Sequence, residues 1–418
     1  MLRKILAGLA IFFLLLIVAG ALFYHFEIKP TLRRLGERSE TQRKMLQPRV
    51  IEAAGKFGRR VFYAGSGLGN ISQIRVGWPA DREGADIAVV AAQGADFIDR
   101  TGQVKKQVRF SIEQRCAVTV ARIDSAGDYG YLTRDESWAV PATLFDNAGH
   151  VSWRSGRSFS GVDDSAPGDV SGNGKLSVAI GFNGGGGLTL LDGQGKTIWQ
   201  KPESNVWHLE TLDTTGDGHE KILQSNAKGQ LLVRDEKGNV VAQYLSGFNI
   251  SHFALTRWGD ETRPSHILVP VSEVRDGCCK PALIVLDAGG KQIAEMDSPL
   301  GDLFTRISAT SIRFNKDAQY FAVLKSEPWL QRSMLLLYGG DGHISYQEIL
   351  GEACLGIAAL PCKTGSTYWL DVRIKSGSTL RCFQPTQEIG ESSFRFEMGR
   401  CLYTISMEPT SPILRNFV

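Results

Sequence analysis

One short phrase recurs from residue 94 almost to the end of the chain: an apolar β-rich run, a turn of the form D-x-x-G, and a second run that often ends in an aromatic residue. It appears as GADFIDRTGQVKKQV, ATLFDNAGHVSWRS, LTLLDGQGKTIWQK, LLVRDEKGNVVAQY, LIVLDAGGKQIAEM, LLLYGGDGHISYQE and, in worn form, TLRCFQPTQEIGES. The turn aspartates are Asp99, Asp146, Asp192, Asp235 and Asp287, with Gly339 and Gln384 at the equivalent later positions. Successive turns lie 43 to 52 residues apart. Each phrase reads as a β-hairpin, and a period of this size belongs to stacked units that cannot bury their apolar faces alone.

Two further apolar runs precede most hairpins, for example CAVTVARID and YGYLTRD, or VWHLETLD and EKILQSN. Four strands per unit and seven units over residues 61–418 give the expected fold class: all-β, a seven-bladed β-propeller of four-stranded blades. Helical heptads are absent between the turns, while β-branched, aromatic and glycine residues abound. Ring closure is expected from RVFYAG near residue 60 and CLYTISM near residue 401.

The N-terminus adds a different signal. Arg3 and Lys4 precede an uncharged apolar run from Ile5 to Tyr24, about the ~20 residues a spanning helix needs. A cleaved signal sequence is the competing reading, because Ala19, Gly20 and Ala21 supply a small-residue cleavage pattern. The expected organisation is an N-terminal transmembrane helix over 1–26, a basic juxtamembrane stalk over 27–60 and the propeller over 61–418. A single-pass membrane protein with its propeller outside the cytoplasm follows from that reading. Basic residues on both sides of the helix leave its orientation open.

Charge separates these regions. The stalk carries +6, whereas residues 61–418 carry −5. A basic stalk suits anionic headgroups, and a mildly acidic body excludes nucleic acid as the expected partner. The seven cysteines form no CxxC and no zinc spacing.

Two turns resemble calcium loops. DVSGNGKLSVAIG places Asp169, Ser171 and Asn173 in alternation, and DTTGDGHEKIL places Asp213, Thr215 and Asp217 likewise. Here the chain resembles the FG-GAP/VCBS type of propeller repeat, whose D-x-D/N-x-D-G-x-x-D turn can hold calcium. The hairpin LTLLDGQGKTIWQ is similar to quinoprotein-type repeats, although the tryptophan occurs only at Trp153 and Trp199 of the hairpins. The resemblance implies a possible calcium ligand set in each turn. Against it, Ser177 and Lys221 stand where that family places a carboxylate, and calcium draws on several carboxylates. The expected role of both turns is structural, with side chains capping their own amides. No cofactor is expected, calcium being the one alternative.

No catalytic motif is present: there is no HExxH, no G-x-S-x-G and no P-loop. His150, His219 and His343 each follow a turn glycine. The expected function is non-catalytic binding or scaffolding of a protein partner through the loops between second and third strands. Those loops are uneven, with RDESWAVP, VSEVRDGCCKP and KSEPWLQR the long ones. Trp138 and Trp329, with Arg134, Arg275 and Arg332, are the expected contact residues, since tryptophan and arginine anchor interfaces. The alternative is a ligand-, peptide- or carbohydrate-binding propeller, or an enzyme, that uses the central funnel with or without calcium.

Overall fold

The computed structural model describes residues 12–13, 16–20, 22–53, 57–65, 67–69, 71–112, 116–134, 141–155, 161–256, 264–275, 278–300, 303–313, 319–339, 342–361, 367–373, 378–385 and 403–406. The chain divides into two units, Met1–Gln47 and Pro48–Val418. In the first, a π-helical turn at Tyr24–Ile28 runs into the α-helix Lys29–Met45, with Pro30 in its first turn and an exposed Glu40–Lys44 pair at 2.8 Å.

The expectation of a transmembrane helix is withdrawn. Among the described residues no helix is long and apolar enough to cross a membrane. The apolar run lies partly outside the described residues, and the Lys29–Met45 helix is too rich in Arg, Lys and Glu to sit in hydrocarbon.

The second unit is a ring of sheets. Blade 1 consists of Ile71–Val76, Ile87–Ala91, Gly94–Ile98 and Val104–Arg109, ordered from first strand to outer edge. Blade 2 uses Ala117–Arg122, Tyr129–Arg134, Thr143–Phe145 and Val151–Arg154; blade 3 uses Val162–Gly168, Ser177–Phe182, Leu188–Asp192 and Thr197–Lys201. Blade 4 uses Val206–Leu212, Lys221–Asn226, Leu231–Arg234 and Val240–Tyr244, and blade 5 uses Ala254–Thr256, His266–Arg275, Cys278–Asp287 and Gln292–Asp297. Blade 6 comprises Arg306–Arg313, Gln319–Glu327, Arg332–Gly339 and Ile344–Leu350, and Arg49–Ala53 pairs antiparallel with its outer strand.

The expectation of seven uniform four-stranded blades is corrected to six meander blades. The remaining sheet has the order Phe57–Gly65, Ser378–Pro385, Tyr403–Ser406, Thr367–Arg373, Cys354–Pro361. Tyr403–Ser406 is inserted between two strands and runs parallel to Thr367–Arg373. The seventh phrase has lost its D-x-x-G turn; Phe57–Gly65 takes the outer position of this sheet beside Ser378–Pro385, and Tyr403–Ser406 lies between Ser378–Pro385 and Thr367–Arg373. The two expected closing segments share this sheet but do not pair with each other, because Ser378–Pro385 stands between them. Arg49–Ala53 and Phe57–Arg60, read as stalk, are strands of the ring.

Turn chemistry explains the recurrent phrase. In blade 3 the Asp192 Oδ1 accepts the Gln194 and Lys196 amides at 3.0 and 2.9 Å, while Gly195 takes φ +81°, a region open to glycine without strain. Asp99, Asp146 and Asp235 cap their turns in the same way.

In blades 2, 3 and 4 the aromatic near the end of the phrase fastens one blade to the next. Trp153 Nε1 donates to Gly193 O at 3.0 Å, Trp199 Nε1 to Glu236 O at 2.8 Å, and the Tyr244 hydroxyl to Ala288 O at 3.1 Å. In each case the acceptor lies in the D-x-x-G turn of the following blade. The apolar core is the set of these blade interfaces: Val90, Phe97 and Val108 of blade 1 cluster with Val118, Val120, Tyr131 and Phe145 of blade 2. Inner strands are covered on both faces, so Ile87–Ala91 and Ser177–Phe182 are buried throughout. Their sequences therefore read as continuous apolar runs, without alternation.

Candidate functional site

First strands run from the face carrying the inter-blade connections to the opposite face, so the loops between second and third strands lie on the connection face. Trp329 sits there, in a tight turn between Gln319–Glu327 and Arg332–Gly339, and is 85% exposed. The turn is pinned: Glu327 Oε1 accepts the Trp329 amide at 3.2 Å, and Pro328 O accepts the Gln331 amide at 3.2 Å. Arg332 stays beside it and donates to Gln331 O at 2.9 Å. The expected long loops at two of these positions are shorter than the sequence suggests. KSEPWLQR is half strand, only Pro328 to Gln331 forming the turn, and VSEVR and CCKP are the paired ends of two ten-residue strands, with Arg275 opposite Cys278. The Arg275 side chain and the whole of Trp138 lie outside the described residues.

Arg134 is elsewhere. Although it ends the second strand of blade 2, its guanidinium turns into the central channel and not to the rim. Nε and Nη2 donate to Asp164 Oδ1 and Oδ2 of blade 3 at 3.2 and 3.1 Å, and Nη1 donates to Glu210 Oε1 of blade 4 at 3.0 Å. Nη2 also donates to Leu209 O at 2.6 Å. The Asp164 carboxylate, 1% exposed, further accepts the Ser165 and Leu209 amides and His208 Nδ1 at 2.8, 2.9 and 2.9 Å. Burial alone would favour the neutral acid. The guanidinium and the His208 hydrogen bond outweigh it and hold the Asp164 carboxyl far below the usual range. Burial likewise opposes the Arg134 charge, and the two carboxylates overcome it and raise its pKa.

The His208 ring stacks on His252 with centroids 3.9 Å apart and planes 27° apart, and meets Phe253 edge-on at 4.7 Å. Burial, the adjoining His208 and the Arg306 guanidinium push the His252 pKa well below 6.5. These groups line a channel cavity of about 1200 Å³ whose walls are the first strands of the sheets. Sequence reasoning missed Asp164, His208, Glu210 and His252. A signal existed: VDDS and VWHLE put ionisable residues inside strands that are otherwise buried.

The two calcium-like turns lie on the opposite face. Asp169 Oδ1 and Oδ2 accept the Asn173 and Gly174 amides at 3.0 and 2.8 Å, and Asn173 Oδ1 accepts the Lys175 amide at 2.9 Å. Ser171 Oγ lies 3.3 Å from Ser177 Oγ. In the other turn Asp213 accepts the Thr215, Gly216 and Gly218 amides at 3.3, 2.7 and 2.8 Å, and Asp217 accepts that of His219 at 2.8 Å. The turns also join blades: the Glu220 carboxylate accepts the Asp169 amide at 2.9 Å and the Leu176 amide donates to Ile123 O at 2.8 Å. Among the described residues no three His, Cys, Asp or Glu are grouped to hold a metal ion.

No family model matches this chain, and no curated protein matches it. Solved structures do. The BBS1N chain crystallised in complex with ARL6DN and soaked with mercury is similar at a TM-score of 0.51 and 8% identity, over 81% of this chain and 100% of that one. The Neurospora crassa Pan2 WD40 domain is similar at 0.44 and 10% identity, over 77% and 91%. At such identity the first likeness shows the fold, a β-propeller, and nothing finer.

Proposed function

We propose that the chain is a non-catalytic binding propeller that holds a protein partner on the face carrying the inter-blade connections. The observation that carries this reading is Trp329, an indole almost wholly in water on a turn fixed by hydrogen bonds. A rigid exposed tryptophan loses little conformational entropy on contact and supplies a large apolar area, which is what an interface anchor requires. Arg332 flanks it, and on this reading Trp138, which the sequence puts between second and third strands, and Arg275, which ends a second strand, belong to the same face. Arg134 is removed from the contact set, since its charge is engaged in the channel. The BBS1N chain, of like fold, was crystallised with a protein, ARL6DN, which supports the reading by analogy.

The test is affinity capture of the full chain from its own source, followed by quantitative mass spectrometry. A stoichiometric companion that falls at least tenfold with Trp329→Ala supports the proposal. A companion that the substitution leaves untouched, or a chain recovered alone, refutes it. The channel favours a second reading, a small ligand held in the funnel, because its buried polar wall borders a cavity of about 1200 Å³. On that reading Trp329→Ala is silent and substitution of Arg306 abolishes ligand binding.

A further inference from the structure

Blades 4 and 5 are joined by a connection that doubles back over the edge of blade 4. The Ile250 amide donates to Gly229 O at 2.9 Å, and Ser251 O accepts the Ser225 hydroxyl at 2.6 Å. The next residue, His252, lays its ring on that of His208. His208 is itself fixed, because the Asp164 carboxylate only accepts and so Nδ1 must carry the proton it receives. The seam between blades 4 and 5 is therefore closed at the channel mouth by this ring-on-ring contact, beside the buried Ile250 and Phe253, and its fixed half is tied through Asp164 to Arg134. Four blades meet at this point.

We propose that His252 is an acid-sensitive latch: neutral, it keeps the connection docked on blade 4, and a proton on its ring releases that connection and opens the seam on the partner-binding face. The groups facing it come from every neighbouring element. They are His208 and Glu210 of blade 4, Asp164 of blade 3, Arg134 of blade 2 and Arg306 of blade 6. A proton on His252 would stack against an imidazole at 3.9 Å. It would add a positive charge where Arg134 and Arg306 already stand, with Asp164 partly committed to Arg134. His252 is half-buried, so water screens these charges only in part.

The sign follows from linkage. An undocked histidine takes its proton near pH ~6.5, whereas the docked ring, its pKa depressed, does not until lower pH. The open state therefore binds more protons, so docking is complete above about pH 6.5 and weakens as pH falls toward the docked pKa.

Native-state hydrogen exchange of the Ile250 amide in the full chain, corrected for the intrinsic rate, reads the opening directly. One proton, taken up by the open state near pH ~6.5, predicts a rise in the opening constant of about fivefold between pH 6.5 and 5.5. His252→Phe keeps the stack and removes the titration, so its opening constant stays flat, while His219→Gln, in a surface turn of the opposite face, retains the wild-type slope. A wild-type change below about twofold, where one proton predicts about fivefold, overturns the latch. The same slope in His252→Phe, or its loss in His219→Gln, also overturns it. Where His252→Phe does not fold, NMR titration of the wild-type imidazoles decides: a His252 midpoint well below 6.5 supports the latch and one at or above 6.5 refutes it.

Discussion

Replacing Arg134 by methionine separates a channel residue from a rim residue. The guanidinium is 15% exposed and makes four hydrogen bonds, two to Asp164, one to Glu210 and one to Leu209 O. Methionine keeps the bulk of the stem and removes every donor. Breaking a buried ion pair from one side costs about 3–5 kcal/mol, because the remaining charge is stranded. Here the stranded charge is not wholly abandoned: Asp164 retains the Ser165 and Leu209 amides and His208, and Glu210, 27% exposed, can be rehydrated. The expected cost therefore sits at the lower end, about 3 kcal/mol. Urea unfolding at pH 7.5 followed by tryptophan fluorescence measures it as a lower midpoint at unchanged slope. Adding Asp164→Asn removes the stranded charge, so the double variant should be less damaged than the sum of the singles by about 1–2 kcal/mol. A cost for Arg134→Met below about 1 kcal/mol is the value of an exposed pair and would refute the buried-network description.

The remaining expectations concern the turns, the blade fasteners and the rim. Gly195→Ala should destabilise the ring by about 2–4 kcal/mol in the same assay, since φ +81° is strained for alanine and the new Cβ would meet the Trp153 ring at 2.8 Å. Trp199→Phe, which deletes the bond to Glu236 O while keeping an aromatic ring, should cost about 0.5–1.5 kcal/mol plus a small loss of area. Chelation by EDTA should leave the melting temperature unchanged, because the Asp169 and Asp213 oxygens are engaged by turn amides. A resident calcium at a hundredfold its dissociation constant would instead contribute about 2.7 kcal/mol. Trp329→Ala should change stability by no more than about 0.5 kcal/mol, so that any lost partner capture is a surface effect.

Much of the ring was legible before any coordinates, because its recurring signal is local. A D-x-x-G turn works through the aspartate's own next amides and one left-handed glycine, as Asp192 and Gly195 show, and needs nothing from the rest of the chain. Continuous apolar runs gave the buried strands for a similar reason, since any strand pressed between two blades must be apolar on both faces. The calcium-like turns were legible only in part: their geometry is local, but the bonds from Glu220 to Asp169 and from Leu176 to Ile123 cross between blades.

What the sequence alone determined is the repeat: where the turns fall, which runs are strands, and that faces of successive units must stack. The tertiary structure decided the rest. Arg134 ends a strand and precedes a loop that reads as rim. Only ring closure brings to it Asp164, 30 residues on, and Glu210, 76 residues on. The seventh sheet shows the same limit, since its outer strand comes from Phe57–Gly65, more than 300 residues upstream of its neighbour, and Tyr403–Ser406 lies between two other strands, neither placement being written in the repeat. Local chemistry sets a turn within four residues, whereas a charge network at the axis depends on the angle between blades. That angle is fixed by the sum of the packing between them, and no single segment encodes it.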